Sequence, residues 1–428
     1  MLQQDAPKNL EESKNTTSIN TNLHLKILVA ICLGIPAGLL LHNNHLFIEI
    51  CSFTGNLFLN ALKMLIVPII LSSIVAGILR LPDIRELGKM GVSTIIYYFS
   101  TSILAVIVGC IFVFILKPGL SHSIPAGQLL GFSKQMVSST INLSSSSLSD
   151  MKEIFIRMVP PNIVAAAAKG QMLGIIFFGI LFGISGQLIH TGRKNVLANV
   201  VQAIFETTMK MTEIVMYFAP IGIFALVSKV FAQTGLGALK PLAIFFLTVI
   251  LALGFHFFIT LPLILRLFGV SAPRHMKNMT PALLTAFSTS SSSATLPVTM
   301  ECVEKRAGIP NRISAFVLPL GATVNMDGTA LYECVAALFI AQAMGIKIGF
   351  FKAFVIAFTA VITSIGVAGI PAASLVAIAV ILKIVGLPVE AMAPILAVDR
   401  ILDMLRTSVN VFSDSCGAVI ISKIGKNE

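Results

Sequence analysis

The sequence has no tryptophan and very little charge: Asp, Glu, Lys and Arg together make up only 11% of its 428 residues. Because soluble domains average about a quarter charged residues, this composition excludes an ordinary soluble protein. Hydrophobic residues account for 56% of the chain, and apolar runs of about 20 residues recur along it, each long enough to cross a bilayer as a helix. We therefore expect a multi-pass integral membrane protein that lies in the lipid bilayer.

Acidic residues are also scarce, 19 against 30 Lys and Arg, so the formal net charge is +11. The basic residues lie mostly in short connections between apolar runs, at 80–89, 193–194, 274–277 and 305–312. Positive charge in short loops is typical of the cytoplasmic side of a membrane protein. This explains the excess charge, and we expect no nucleic-acid partner. The six cysteines show no paired spacing, so they indicate neither a disulfide framework nor a metal site.

Two segments of the second half are apolar but interrupted. Residues 278–306 are too short to cross the membrane and return, and the serines between 288 and 293 divide them. Residues 350–386 repeat this plan, with a break at Gly366, Gly369 and Pro371. Non-helical backbone at membrane depth needs protein or a cavity to satisfy its amides. Two such hairpins in matching positions are typical of an inverted-repeat transporter; the alternative is a pair of ordinary Ser- and Gly-containing loops.

A polar stripe crosses the apolar C-terminal region. Asp399, Asp403, Arg406, Asn410 and Asp414 fall within one arc of roughly 80° on a helix that turns about 100° per residue. Charge inside a membrane is costly unless it faces a protein interior or a water-filled cavity, where it is usually functional. We therefore predict a binding site along this stripe.

A second polar interruption lies in residues 322–345, which we predict to be helical except for a break at Asn325 to Gly328. Asp327 in an apolar span is costly unless a cation or a partner neutralises it. Carboxylate, amide and freed carbonyl oxygens are hard ligands, which favours a Na⁺ site. The hydroxyls of Ser290 to Ser293, at the start of a half-helix, favour a carboxylate site nearby.

Together these motifs resemble a known family. STSSSSATLP at 288–297, NMDGTALYE at 325–333, SIGVAGIP at 364–371 and LDMLRTSVNVFSD at 402–414 are similar to motifs of the dicarboxylate/amino acid:cation symporters, which include the excitatory amino acid transporters and the archaeal aspartate transporters. LKMLIVPII at 62–70 and IIYYFSTS at 95–102 also match in order. The resemblance implies an all-α membrane protein with eight transmembrane helices, two re-entrant hairpins, inverted repeats and an elevator-type movement. It also implies a homotrimer in the cytoplasmic (inner) membrane.

On this basis we divide the chain into six parts. They are a cytoplasmic N-terminal tail (1–24), scaffold helices one and two (25–79), a third helix of the transport domain (80–116), an external loop with scaffold helices four and five (117–231), a sixth helix of the transport domain (232–270), and a transport core with two hairpins and helices seven and eight (271–428). No cleavable signal sequence is evident in the polar tail, and we expect both termini to be cytoplasmic.

The resemblance also implies residue roles. The substrate side comprises Arg406 for a side-chain carboxylate, Asp403 for an α-ammonium, and Asn410, Thr407, Thr329, Ser290, Ser292 and the tip from Ile370 to Ser374 around them. One Na⁺ site comprises Asp414, Asn410, Asn325 and Gly321; a second comprises Tyr98, Thr101, Ser102, Asn325 and Asp327; a third comprises carbonyls of Thr323, Met326, Ser364 and Ile365. Glu333 is the candidate proton carrier. We expect co-transported Na⁺ and a proton, and no prosthetic group.

The neighbouring Asp403 and Arg406 bear on the choice of substrate. A carboxylate beside a guanidinium matches a zwitterion with an extra acid group, so aspartate or glutamate is favoured over C4-dicarboxylates and neutral amino acids. The alternative is a structural i,i+3 ion pair between them. Family members commonly carry a second arginine where this chain has Ser290 or Met404. Arg400 is an additional charge whose role the sequence leaves open, as it leaves open counter-transport of K⁺.

Two other functional classes remain as alternatives. An intramembrane enzyme could use the serine run and the aspartates, but the seven histidines show no partner spacing and an aspartate-based protease would need two matched intramembrane aspartates. An anion channel would lack coupling to an ion gradient. We therefore expect a symporter and not an enzyme.

Overall fold

The computed structural model describes residues 9–80, 84–121, 124–132, 156, 159–169, 171–346, 348–366 and 374–426. Nearly all of these residues form helices, as a membrane environment requires, because a helix satisfies its own backbone hydrogen bonds. The elements of the first half are α1 (Asn9–Leu40), α2 (His45–Arg80), α3 (Ile84–Leu116), the antiparallel strands β1 (Leu120–Ser121) and β2 (Ile124–Pro125), α4 (Ile163–Ala168), α5 (Met172–Leu188), α6 (Thr191–Tyr217), α7 (Ala219–Thr234), α8 (Leu239–Phe255) and α9 (Leu261–Leu267).

Two boundaries in this half differ from the expectation. Helix α1 begins at Asn9, within the polar stretch that we assigned to a tail, and no Gly or Pro interrupts residues 9–33. Residues 197–231 form one apolar run, which predicts a single span. The structure divides this run at Phe218 into α6 and α7. The division has a local cause, because Pro220 in the first turn of α7 has no N–H to continue the hydrogen-bond ladder of α6.

The second half contains α10 (Ala272–Thr289), α11 (Ser292–Glu301), α12 (Asn311–Val324), α13 (Asp327–Ala343), α14 (Phe350–Gly366), α15 (Ser374–Ile384) and α16 (Leu396–Lys426). Helices α10 and α11 form the first predicted hairpin. At its tip Ser290 adopts a left-handed backbone with φ 50°, and the Ser291 hydroxyl caps α11 by accepting from the Ala294 N–H at 3.2 Å. Helices α14 and α15 form the second hairpin, whose tip at 367–373 lies outside the described residues.

Helices α12 and α13 replace one continuous span. The break is shorter than the sequence predicts, since only Asn325 and Met326 are non-helical and Asp327 already begins α13. Every residue of α13 except Gln342 is buried. This helix packs against α3, α14, α15 and α16, so its polar side chains face protein on all sides.

The packing separates two sets of helices. Helices α1, α2, α5, α6 and α7 form one set, while α3, α8 and α10 to α16 form a second set in which α13 and α16 have the most neighbours. The two sets meet where α2 lies against α14 and α15 through apolar side chains. Lys63 of α2 also forms an ion pair with Glu390, which precedes α16.

Among the described residues, four stretches are long and apolar enough to cross a bilayer: His45–Leu79, Met90–Leu116, Ala219–Leu267 and Asn311–Ala343. Four apolar helices are shorter: Leu25–Leu40, Gly174–Leu188, Phe350–Ser364 and Ser374–Ile384. The third long stretch contains both α7 and α8, which we assigned to separate spans. The number of eight transmembrane helices therefore stays a prediction.

Helix α1 approaches α7 closely at Gly34 and Gly38, and a Cβ at Gly38 would lie 2.4 Å from the Ser228 carbonyl oxygen. Small residues at this spacing let membrane helices pack with close backbones. We expect Gly38→Ala to lower the thermal unfolding midpoint in detergent, because overpacking of this kind costs about 1–3 kcal/mol. Gly254→Ala in α8 is the control, since nothing lies within 4 Å of its added carbon. Equal midpoints for both variants would contradict this packing.

Candidate functional site

Four charged side chains are buried together on the first turns of α16. Arg406 donates from Nη1 to Asp399 Oδ1 at 3.1 Å and from Nη2 to Asp403 Oδ1 at 2.6 Å. Arg400 donates from Nη1 to Asp403 Oδ2 at 2.9 Å and from Nη2 to the Ser290 hydroxyl at 2.8 Å. None of the four charged residues is more than 7% exposed. We call these four residues the charge cluster.

An aromatic ring supports one end of the charge cluster. The guanidinium carbon of Arg406 lies 3.9 Å from the centroid of the Tyr332 ring on α13, which is the distance of a cation–π contact. Within the described part of the chain, the Nε atoms of both Arg400 and Arg406 lack a hydrogen-bond partner. Each guanidinium therefore keeps its Nε–H for a further acceptor.

Below the charge cluster, α16 is joined to the start of α13 by an amide. Asn410 Oδ1 accepts from the backbone N–H of Gly328 at 2.8 Å, and its Nδ2 donates to Thr329 Oγ1 at 3.1 Å. Gly328 N–H is one of the donors that a helix N-terminus leaves without an intrahelical partner. Thr407 instead donates to the backbone carbonyl of Asp403 on its own helix, at 2.9 Å.

The break between α12 and α13 brings together most of the first predicted cation group. Asn325 Nδ2 donates to Asp414 Oδ1 at 2.9 Å, and its Oδ1 accepts from Thr101 Oγ1 at 3.2 Å. A Cβ at position 321 would lie 2.6 Å from Asp414 Oδ1 and 2.7 Å from the Tyr98 hydroxyl. Only Gly321 therefore lets the carboxylate approach α12 so closely.

Asp327 is the centre of the second predicted group. Its Oδ1 accepts from Ser102 at 2.7 Å, and its Oδ2 accepts from Ser413 at 2.6 Å. His256 Nε2 lies 3.2 Å from the same Oδ2. The Ser413 hydroxyl in turn accepts from Asn325 Nδ2 at 3.0 Å, so Ser413 links the two aspartate sites into one buried network.

Several buried side chains of the second half carry an oxygen without a hydrogen-bond partner among the described residues. Ser292, at the start of α11, and Ser374, at the start of α15, are 2% and 3% exposed, and within the described residues neither hydroxyl has a hydrogen-bond partner. Glu333 accepts from Thr363 Oγ1 through Oε2 at 2.9 Å, while its Oε1 has no partner there. Buried polar atoms are nearly always satisfied, so these atoms indicate a site for a bound partner.

The remaining predicted residues are less clearly assembled. Thr323 and Met326 lie at the end of α12, which packs against α14, where Ser364 and Ile365 lie. The Met326 carbonyl already accepts from Ala330 N–H within the first turn of α13. Ile370 lies outside the described residues. The third cation group stays a prediction, and Asn410 contacts Gly328 and Thr329 through its side chain instead of joining Asp414.

Comparison with known proteins identifies the family of this chain. The sequence profile of the Sodium:dicarboxylate symporter family matches residues 23–424, and the Proton/glutamate-aspartate symporter of Escherichia coli (strain K12) is 36% identical over 411 residues, 95% of this chain and 93% of the relative. The chain belongs to the sodium:dicarboxylate symporter family. It is thus a member of a family of membrane transporters, not of enzymes.

Two further relatives of this family member come from a bacterium and from an animal. The Proton/sodium-glutamate symport protein of Geobacillus stearothermophilus is 35% identical over 398 residues, 93% of each chain. Excitatory amino acid transporter 3 of Homo sapiens is 35% identical over 453 residues, covering 94% of this chain and 86% of the relative. The family predicted from the motifs is confirmed.

Three site residues of this family member were not anticipated from its sequence. Ser413 bridges Asn325 and Asp327, His256 contacts Asp327, and Tyr332 lies under Arg406. A histidine inside the apolar run at 237–268 was a usable signal, because ionisable residues within membrane segments are rare and usually functional. Ser413 and Tyr332 gave no such signal, since a serine or tyrosine beside a motif is common.

Within the charge cluster, Arg406 makes the direct ion pair with Asp399. We expect Arg406→Met to destabilise the substrate-free protein by about 3–5 kcal/mol, because it leaves a buried carboxylate without its partner. Thermal unfolding in detergent measures this, with the exposed Arg312→Met as the control. The double variant Arg406→Met/Asp399→Asn should melt above the single variant. If the single variant and the control melted alike, Arg406 would not be neutralising the buried carboxylates.

Proposed function

We propose that this chain is a secondary active symporter that couples uptake of aspartate or glutamate to Na⁺ and a proton. The observation that carries the proposal is the buried pairing of Arg406 with Asp403, at 2.6 Å. Among the described residues, the buried hydroxyls of Ser292 and Ser374 also lack hydrogen-bond partners. The printed names of three relatives support it, since they are a proton/glutamate-aspartate symporter, a proton/sodium-glutamate symport protein and an excitatory amino acid transporter.

The charge cluster matches an acidic amino acid group by group. Arg406 turns from Asp403 to the side-chain carboxylate of the substrate, which a guanidinium binds through two parallel hydrogen bonds. Asp403 then accepts from the α-ammonium through the oxygen that Arg406 has released. The α-carboxylate is held by hydroxyl and amide donors, namely Ser292, Thr329 and Asn410. A C4-dicarboxylate would leave Asp403 facing a second negative charge, so the zwitterion is favoured.

Sodium ions occupy the polar network around the break between α12 and α13. Asp414 with Asn325 and the Gly321 carbonyl form one site, and Asp327 with Ser102, Thr101 and Tyr98 form a second, where oxygen ligands suit a hard cation. The carbonyls of Thr323, Met326, Ser364 and Ile365 form a third site when the second hairpin closes. Because closure then needs both the ion and the substrate, their binding is coupled.

The two helix sets are candidates for a scaffold and a moving transport domain. The set around α13 carries every residue of the substrate and cation sites, while α1, α2 and α5 to α7 carry none. On these grounds and on the resemblance, we propose an elevator movement, a homotrimer and cytoplasmic termini. We also propose that the chain is divided at 25–79, 80–116, 117–231, 232–270 and 271–428. The protein resides in a membrane, and we propose the cytoplasmic (inner) membrane.

Purified protein in liposomes tests the function. Radiolabelled aspartate uptake is measured with inward gradients of Na⁺, of H⁺ and of both, and with glutamate, succinate or alanine as competitors. We expect accumulation above equilibrium only with a cation gradient, and stronger competition by glutamate than by succinate. Equilibration without a gradient would favour a channel, and an absence of aspartate uptake would contradict the proposal.

Glu333 is the proposed proton carrier, since its buried carboxyl has one unpartnered oxygen and lies one turn after Thr329 on α13. We expect Glu333→Gln to take up aspartate at a rate that no longer changes between pH 5.5 and 8 (roughly the range over which proton coupling is visible). Glu301→Gln, at an exposed carboxylate, is the control and should keep the wild-type pH profile. An unchanged profile in Glu333→Gln would assign the proton elsewhere.

Ser102 and Ser100 of α3 provide a test residue and its control for the second cation site. Ser102 donates to Asp327 at 2.7 Å, whereas the exposed Ser100 donates to the Ile96 carbonyl of its own helix. We expect Ser102→Ala to raise the Na⁺ concentration for half-maximal uptake about ten-fold, the effect of losing one hydrogen bond to a charged group. Ser100→Ala should leave that concentration unchanged. Equal Na⁺ dependence in both variants would remove Ser102 from the site.

A further inference from the structure

Arg400 is a buried arginine to which the proposed transport steps give no role. It is 4% exposed, and its two terminal nitrogens have different partners: Nη1 donates to Asp403 Oδ2, and Nη2 donates to the Ser290 hydroxyl. Asp403 lies on its own helix, whereas Ser290 lies at the tip of the first hairpin. Arg400 therefore ties the hairpin tip to the carboxylate of Asp403.

The two oxygens of Asp403 are divided between two arginines. Oδ1 accepts from Arg406 and Oδ2 accepts from Arg400, which lie three residues after and three residues before Asp403 on α16. When Arg406 moves to a substrate carboxylate, Oδ1 is released while Oδ2 stays bound to Arg400. The carboxylate then keeps its orientation, and Oδ1 is directed to the place that Arg406 has left.

The charges of the cluster balance only when Arg400 is included. Asp399 and Asp403 carry two negative charges, and Arg400 and Arg406 carry two positive charges. Without Arg400, the departure of Arg406 to a ligand would remove the second of the two arginines that hydrogen-bond Asp403. A buried carboxylate that has lost its partner is strongly destabilised, so the energy of this intermediate state depends on Arg400.

We propose that Arg400 is a positioning residue for substrate recognition: it holds Asp403 ionised and oriented toward the substrate ammonium, and it couples that orientation to the tip of the first hairpin through Ser290. The proposal rests on the proposed function, since it assumes that Asp403 binds an ammonium. The proposed role requires a guanidinium group beside Asp403, whichever residue position carries that group. Ser290 is already the hydrogen-bond partner of Arg400, and Met404 is one helical turn after Arg400 and adjacent to Asp403.

Four variants of the full-length protein in liposomes test the proposal by tracer aspartate uptake: Arg400→Met, Arg400→Lys, Arg400→Met/Ser290→Arg and Arg400→Met/Met404→Arg. We expect Arg400→Met to raise the KM for aspartate about 10- to 100-fold, the usual effect of losing a hydrogen bond between buried charged groups. Vmax at saturating aspartate should stay within about two-fold, because Arg406 still binds the substrate carboxylate. Arg400→Lys should give an intermediate KM, since an ammonium keeps the charge but not the two-pronged geometry.

The relocated arginines separate a positioning role from a merely structural one. Both double variants should return the KM to within about five-fold of the wild-type value, because the guanidinium again reaches Asp403. Arg274→Met, at an exposed arginine, is the control and should not change the KM. If Arg400→Met alone does not fold, as judged by its thermal midpoint, the double variants still decide, since recovery of both folding and KM supports the proposal.

The outcomes distinguish this inference from the proposed function. A wild-type protein that neither binds nor transports acidic amino acids overturns both. A wild-type protein that transports aspartate while Arg400→Met keeps its KM overturns the role of Arg400 alone. Failure of both relocated arginines to lower the raised KM also overturns it, because the position at 400 would then matter more than the guanidinium.

Discussion

The burial of two aspartates and two arginines in one small volume is the constraint on which the rest of the structure depends. Neither the aspartates nor the arginines can be buried here without an opposite charge, since an isolated buried charge is far more costly than a paired one. The cluster therefore needs Arg400 and Arg406 on either side of Asp403, a hydroxyl from the first hairpin, and an aromatic ring from α13. Both arginines lie on α16, the hydroxyl lies at the end of α10 and the ring lies on α13, so the charges connect these three helices.

The interruption between α12 and α13 solves a second problem of the same kind. Ending a helix in the interior leaves backbone N–H groups without partners, and the structure satisfies one of them with the side chain of Asn410. The same interruption lets Asn325 reach both Asp414 and Ser413. Two carboxylates and their amide and hydroxyl partners thus share one network, in which Asn325 and Ser413 connect Asp414 to Asp327.

Much of this architecture could be predicted from the sequence, because the irregular segments have distinctive composition. The serines at 288–293 and the Asn325 break interrupt apolar runs, and the structure has a short non-helical segment in each, at Ser290 and Ser291 and at Asn325 and Met326. The division of α6 from α7 was missed because hydrophobicity runs through Phe218 and only Pro220 signals the break. Residue contacts between distant segments were harder: His256 and Ser413 meet Asp327 through tertiary packing, which periodicity does not encode. The family relationship is confirmed by the comparisons, while the ligands of each ion stay predictions.

The ion pair between Lys63 and Glu390 gives the contact between the two helix sets a property that its apolar surface lacks. Apolar surfaces attract one another at many relative positions, since burial of hydrophobic area has no direction. An ion pair is satisfied only at one position, so it distinguishes the observed placement of α2 from others that the apolar surface would allow. Because both side chains are partly exposed, this preference is weak. The pair thus gives a non-directional contact one specific register.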